Sequence, residues 1–135
     1  MIQEYFNSPS ENFIKFYENL GQSSFGKNID VLGLSENDLS NLDKYDIAIF
    51  YLTDVKESES IIKRIYSLEY GNWNLKILDF GVFKKGNENS DNLFAIKRII
   101  NKLSNCNVFT IIIGGLQSDV NLLCKSFGKE ASPTH

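Results

Sequence analysis

Histidine is almost missing from this sequence, because its one copy, His135, is the last residue. A nucleophile activated by histidine, as in Ser–His or Cys–His catalysis, is therefore excluded within the chain. Cysteine is scarce as well: Cys106 and Cys124 lie far apart and form no C-x-x-C pair. This usage predicts a reduced, cytoplasmic protein in which both thiols pack as ordinary small side chains.

Proline breaks and long apolar runs are also lacking. Pro9 and Pro133 lie near the two ends, so no proline interrupts the interior. No apolar run approaches the roughly 20 residues that span a bilayer. The first residues include Glu4 but no Lys or Arg, which argues against a signal peptide. The net charge of -3 argues against a nucleic-acid-binding surface. We expect a single domain that binds neither nucleic acid nor membrane.

What the sequence does contain is an alternation of two apolar patterns. Short runs rich in β-branched and aromatic residues predict strands at Ile29–Leu34, Tyr45–Leu52, Leu75–Phe80 and Val108–Ile113. Apolar residues at helical spacing predict helices that start within Ser8–Glu11 and run to Leu20, that run from Glu57 to Tyr70, that are capped by Asp91 or Asn92 and run to Leu103, and that run from about Ser118 to Phe127. This rhythm predicts an α/β fold with three α/β/α layers and a mostly parallel sheet. The last strand is the most apolar, so we expect it inside the sheet.

Ligands of parallel sheets bind at the carboxyl ends of the strands. These ends are predicted at Thr53–Asp54, Asp79–Gly81 and Gly114–Asp119. Two consecutive glycines at 114 and 115 let the backbone approach a ligand, or turn tightly into a helix. Neither a G-x-G-x-x-G nor a P-loop pattern surrounds them. A tight turn and a ligand-facing loop both stay open.

Three acids follow predicted strands: Asp54, Asp79 and Asp119. Clustered carboxylates there could bind a hard divalent cation. Acids at strand ends also cap the helix or loop that follows, and capping is the interpretation that we favour.

Three pieces of the sequence together resemble the ureohydrolase superfamily of arginases, agmatinases and formimidoylglutamases. They are IIKRIYSL at 61–68, GNWN followed by KILDFG at 71–81, and VFTIIIGGLQ at 108–117. The similarity is closest to the arginase/formimidoylglutamase-like proteins of Bacteroidetes-type bacteria, and it covers about residues 45–117. Each piece alone is weak, but their order and separation are fairly specific.

The resemblance implies a three-layer α/β/α fold of about twice this length or more. Active members use two Mn²⁺ ions to activate a bridging water, which attacks a guanidinium or amidine carbon. One family ligand is the histidine of Gly-Gly-x-His, and here Gln117 occupies that position, where a neutral amide binds Mn²⁺ poorly. The family motif Asp-x-His-x-Asp is missing from the chain. We expect no catalytic residue, metal or cofactor in this chain alone.

The resemblance divides a single, partial domain into an N-terminal extension at 1–44, a family-matching core at 45–127 and a fraying tail at 128–135. The chain is then either the N-terminal part of a ureohydrolase or a non-catalytic, diverged relative acting in binding or assembly. An independent flavodoxin-like or receiver-like domain is a weaker alternative. Gly114, Gly115, Gln117 and Asp119 are the candidate ligand-facing residues. A sheet interrupted after its last strand exposes an edge, so we expect a homo-oligomer or docking of a missing C-terminal half.

Overall fold

The computed structural model describes residues 2–34, 39–69, 71 and 74–114. In chain order the helices and strands are α1 (Glu11–Glu18), β1 (Asp30–Val31), β2 (Ile47–Tyr51), α2 (Val55–Tyr66), β3 (Ile77–Val82), α3 (Asn89–Asn105) and β4 (Phe109–Ile113). Short 3₁₀ helices lie at Ile2–Tyr5, Gly26–Asn28 and Leu39–Lys44. The helix predicted at Ser118–Phe127 and the tail at 128–135 lie outside the described residues.

The four strands form one parallel sheet in the order β1-β3-β2-β4. Helix α2 joins β2 to its neighbour β3, whereas α3 crosses β2 to reach β4 on the other side. Right-handed crossovers that run in opposite directions place their helices on opposite faces of a sheet. The predicted α/β class, with a parallel sheet between helical layers, is confirmed.

Each face of the sheet carries its own apolar cluster. Because side chains alternate along a strand, Ala48 and Phe50 contact the α3 layer, while Ile49 and Tyr51 contact the layer of α1 and α2. This two-sided burial explains why the segment around β2 is apolar without interruption. Among the described residues, no helix is both long and apolar enough to cross a membrane.

Capping bonds confirm the predicted start of α1 and the capping role predicted for Asp54, although α2 begins at Val55 and not at the predicted Glu57. Ser10 Oγ accepts the Phe13 backbone N–H at 3.1 Å at the start of α1. Asp54 Oδ1 accepts the Glu57 backbone N–H at 2.8 Å at the start of α2. In both places the side chain satisfies one of the donors that the first helical turn leaves free.

The predicted start of α3 at Asp91 or Asn92 is wrong. The helix begins at Asn89, and its N-cap residue Glu88 makes no capping bond through its side chain. Asn92 is buried and instead bonds the loop before the helix: its Oδ1 accepts Gly86 N–H at 2.7 Å, and its Nδ2 donates to Gly86 O at 3.2 Å. The asparagine therefore fixes the β3–α3 loop rather than the helix end.

The position expected for the strand at Val108–Ile113 is also wrong. In the described sheet β4 is an edge strand, and its Phe109 and Ile111 are 67% and 36% exposed. Ile112 packs against the α3 cluster, and Ile113 packs against the cluster of the α1 and α2 layer. On that second face Phe109 and Ile111 stay exposed, so the apolar composition of the strand did not show that only part of this face is covered.

Candidate functional site

The carboxyl ends of β2, β3 and β4 meet at one edge of the sheet, as the parallel arrangement requires. Leu52 N–H donates to Ile113 O, and Phe83 N–H donates to Tyr51 O, each at 2.8 Å. These bonds extend the register of the three strands into the loops. Gly114 follows β4 at this edge and is exposed. The other ligand-facing candidates, Gly115, Gln117 and Asp119, lie outside the described residues, so the function of this loop stays a prediction.

The side chains of Thr53 and Asp54, in the loop after β2, both hydrogen-bond to Glu57 in the first turn of α2. Asp54 caps α2, as favoured from the sequence. Thr53 is 2% exposed; its Oγ1 donates to Glu57 Oε2 at 3.1 Å, and its carbonyl accepts Ser58 Oγ–H at 3.2 Å. These bonds hold the loop against the first turn of α2, so we assign Thr53 and Asp54 a structural role.

Asp79 does not cap a helix or loop, and that part of the capping prediction is wrong. Its side chain is buried within β3 at 1% exposure. Oδ2 accepts the hydroxyl of Tyr51 at 3.1 Å and that of Tyr66, while Oδ1 accepts Gly81 N–H at 2.7 Å. The carboxylate therefore links the centre of the sheet to the last turn of α2. We call Asp79, Tyr51 and Tyr66 the buried carboxylate cluster.

The backbone around Asp79 explains the bond to Gly81. The register of β3 against β2 shifts here: Ile49 pairs with Asp79, but Phe50 pairs with Gly81, which leaves Phe80 as an extra residue. Gly81 has φ +87°, a conformation that glycine adopts without the steric cost of a side chain. This β-bulge turns the Gly81 N–H back toward the carboxylate of Asp79.

Burial is the largest cause of the shifted pKa values in the buried carboxylate cluster. It raises the pKa of Asp79 to about 6, although the bonds from Tyr66, Gly81 and Tyr51 act in the opposite direction. Burial, and next the charge of Asp79, raise the pKa of both tyrosines well above the ordinary value. At neutral pH the cluster thus holds an ionised carboxylate between two protonated phenols.

A small cavity adjoins the buried carboxylate cluster. Its volume is about 30 Å³, and its lining includes Asp79, Gly81 and Glu59 beside the N-terminal residues Asn7–Pro9. Glu59 accepts Ser10 Oγ–H at 2.7 Å and Ser10 N–H at 3.4 Å, which ties α2 to the start of α1 across the cavity.

The described residues do not fit a pair of Mn²⁺ ions. Within 2–34, 39–69, 71 and 74–114, no three His, Cys, Asp or Glu side chains group so as to hold a metal ion. Such a site needs several anionic or imidazole ligands around each ion. The carboxylates of Asp54 and Asp79 are both engaged by donors of the protein itself. His135 lies outside the described residues.

Tyr51 and Tyr66 were not predicted from the sequence as partners of Asp79. A single acid inside the apolar segment LKILDF was the available signal, since a buried carboxylate needs donors. Their identity could not be obtained from spacing, because the two tyrosines lie 28 and 13 residues away in the chain.

No protein-family model matches this sequence, and a search of curated proteins finds no significant match. The similarity to ureohydrolases therefore rests on the three sequence pieces described above.

Proposed function

We propose that this chain is the N-terminal portion of an arginase/formimidoylglutamase-like ureohydrolase and that it hydrolyses no guanidino or amidine C–N bond by itself. The α/β class with a parallel sheet between helical layers supports the first part, because it is the class that the resemblance implies. The similar pieces also coincide with elements: 61–68 begins inside α2, 76–81 covers most of β3, and 108–117 contains β4. The few cysteines support a cytoplasmic location.

The observation that carries the second part is the hydrogen bonding of Asp79. Three donors, from Tyr51, Tyr66 and Gly81, already occupy this buried carboxylate. Binding a cation there would require breaking bonds that join α2 to the sheet. We therefore assign Asp79 a structural role and place the metal ligands of a parent enzyme outside the described residues of this chain.

The test of catalysis is calorimetric titration of the purified chain with Mn²⁺, followed by product-release assays. Urea release from arginine and agmatine, and formamide release from formimidoylglutamate, should not exceed a blank that contains Mn²⁺ alone. A Gln117→His variant should stay equally inactive, because one added imidazole does not complete a two-metal site. Tight binding of two equivalents of Mn²⁺, or turnover above the blank, would contradict the proposal.

The alternative is a non-catalytic, diverged protein of the same fold that acts in binding or assembly. The open edge at β4 favours it, because an exposed apolar strand is a surface for another chain. The coding sequence that follows residue 135 separates the two proposals. An open frame encoding Asp-x-His-x-Asp supports the ureohydrolase, whereas a stop codon supports the alternative.

A further inference from the structure

We infer that β4 pairs with β4 of a second copy of this chain, antiparallel and about a two-fold axis, so that one sheet continues across a homodimer. This inference concerns the 135-residue chain itself. It does not depend on whether the chain belongs to a ureohydrolase.

The backbone of β4 bonds β2 through alternate residues, and its other side pairs with none of the described strands. Phe109 N–H donates to Asp46 O at 3.0 Å, and Ile113 O accepts Leu52 N–H at 2.8 Å. In a parallel pair, alternate residues of a strand bond the same neighbour, so residues 109, 111 and 113 face β2. Thr110 and Ile112 then direct their N–H and C=O groups away from it. No strand in the described part of the chain pairs with that side.

The side chains of β4 are mostly apolar and partly exposed, and they include none of the features that usually keep an edge strand from pairing. Phe109 is 67% exposed and Ile111 36% exposed, and both lie on the face that α2 occupies further along the sheet. Edge strands that avoid association usually carry a charged residue, a proline or a bulge. Residues 108–113 include no charged residue and no proline, and the register of β4 with β2 runs from 109 to 113 without a shift.

In one antiparallel register, β4 is complementary to a second copy of itself. With the two-fold axis at Ile111, Thr110 and the partner's Ile112 exchange both of their backbone hydrogen bonds. Ile111 then faces the partner's Ile111, and Phe109 faces the partner's Ile113. Every directly opposed pair on the α2 face is apolar, and no like charges meet.

The other edge of the sheet does not offer an equivalent surface. Strand β1 has two residues, and the chain turns at Gly33, which has φ +92°. Beyond β1, the N-terminal segment pairs with β3 through a Phe6–Phe83 bridge and an Asn7 N–H bond to Val82 O at 2.8 Å. Association through β4 therefore closes as a dimer and does not extend into a filament.

Disulfide trapping tests the register. In a Cys106→Ser/Cys124→Ser background, Ile111→Cys places two thiols on opposed residues whose Cα atoms are about 4.5 Å apart, within reach of a disulfide. Phe109→Cys is the matched control, since it lies on the same face but its two copies would be about 13 Å apart. Mild oxidation should cross-link Ile111→Cys at least tenfold faster than Phe109→Cys. Equal rates, or no cross-link, would overturn the inference.

Sedimentation of the unmodified chain over a micromolar concentration series should show the mass rising toward twice that of the monomer. Thr110→Pro removes an outward N–H and should abolish the rise, and Ile111→Lys provides the same test if the proline variant does not fold. Phe94→Lys, at an exposed position on α3, should leave the rise unchanged. A chain that stays monomeric throughout would refute the dimer.

Discussion

Replacing Asp79 with asparagine should remove a pH dependence that this residue gives to the stability of the fold. Burial raises the pKa of Asp79 from 3.8 to about 6. Between these values the folded chain holds a proton that the unfolded chain has released. Stability therefore falls as the pH rises through this window, because the folded state binds more protons there. Above about pH 6 the full cost of the buried charge is present.

The size of the effect follows from the same two values. A change from 3.8 to about 6 corresponds to about 3 kcal/mol, at about 1.36 kcal/mol per pKa unit. The side chain is 1% exposed, so screening by solvent does not reduce this figure appreciably. For a domain whose total stability is roughly 5–15 kcal/mol, this is a large fraction.

Urea unfolding at a series of pH values, for the wild type and for Asp79→Asn, measures this effect. Subtracting the two free energies of unfolding at each pH cancels the contribution of the other carboxyls. The wild type should lose about 3 kcal/mol relative to the variant as the pH rises through the window. A flat difference would refute the reasoning. A difference with the opposite slope would show that the hydrogen bonds to Asp79 outweigh its burial.

Three further substitutions have defined outcomes. Tyr66→Phe removes a donor from the buried Asp79 and should cost about 1–3 kcal/mol in urea unfolding; no loss would mean that water replaces the hydroxyl. Gly26→Ala places a Cβ against Tyr66 Cβ, a clash that ring rotation cannot relieve, and should cost at least about 1–3 kcal/mol, seen as a lower Tm; an unchanged Tm would mean that the backbones of Gly26 and α2 separate without cost. Ser10→Ala removes the cap of α1 and a donor to Glu59, and should cost about 0.5–2 kcal/mol by calorimetry, with Ser23→Ala, an exposed serine, as the control. Equal effects at the two serines would contradict the capping role.

The fold class could be predicted because β2 and β3 lie between two helical layers and are therefore apolar on both faces. The apolar composition of β4 led to the wrong expectation that this strand lies inside the sheet. Apolar composition indicates which side chains avoid water, but it does not indicate which neighbour covers them. At Phe109 the described helices leave that side open.

The candidate site was less accessible from sequence. Asp54 was predicted correctly as a cap, because capping depends on residues three positions apart. The role of Asp79 depends on two tyrosines that the crossover through α2 brings to it. Patterns of residues close together in the sequence do not predict such contacts. Asn92 was predicted as a helix cap because asparagine often caps helices. In the fold its side chain is buried and bonds the backbone of Gly86 in the preceding loop.

The bulge at Phe80 and Gly81 has a consequence for how the segment KILDFG would respond to mutation. One inserted residue returns Val82 to the α2 face and Phe83 to the α3 face, so two cores depend on a single glycine. A saturation scan would then find Gly81 intolerant of replacement and Asp79 tolerant of asparagine but not of apolar residues, with a profile that resembles an active site. The cause would be architectural, and an invariant Asp-x-Gly in a relative would not by itself identify chemistry.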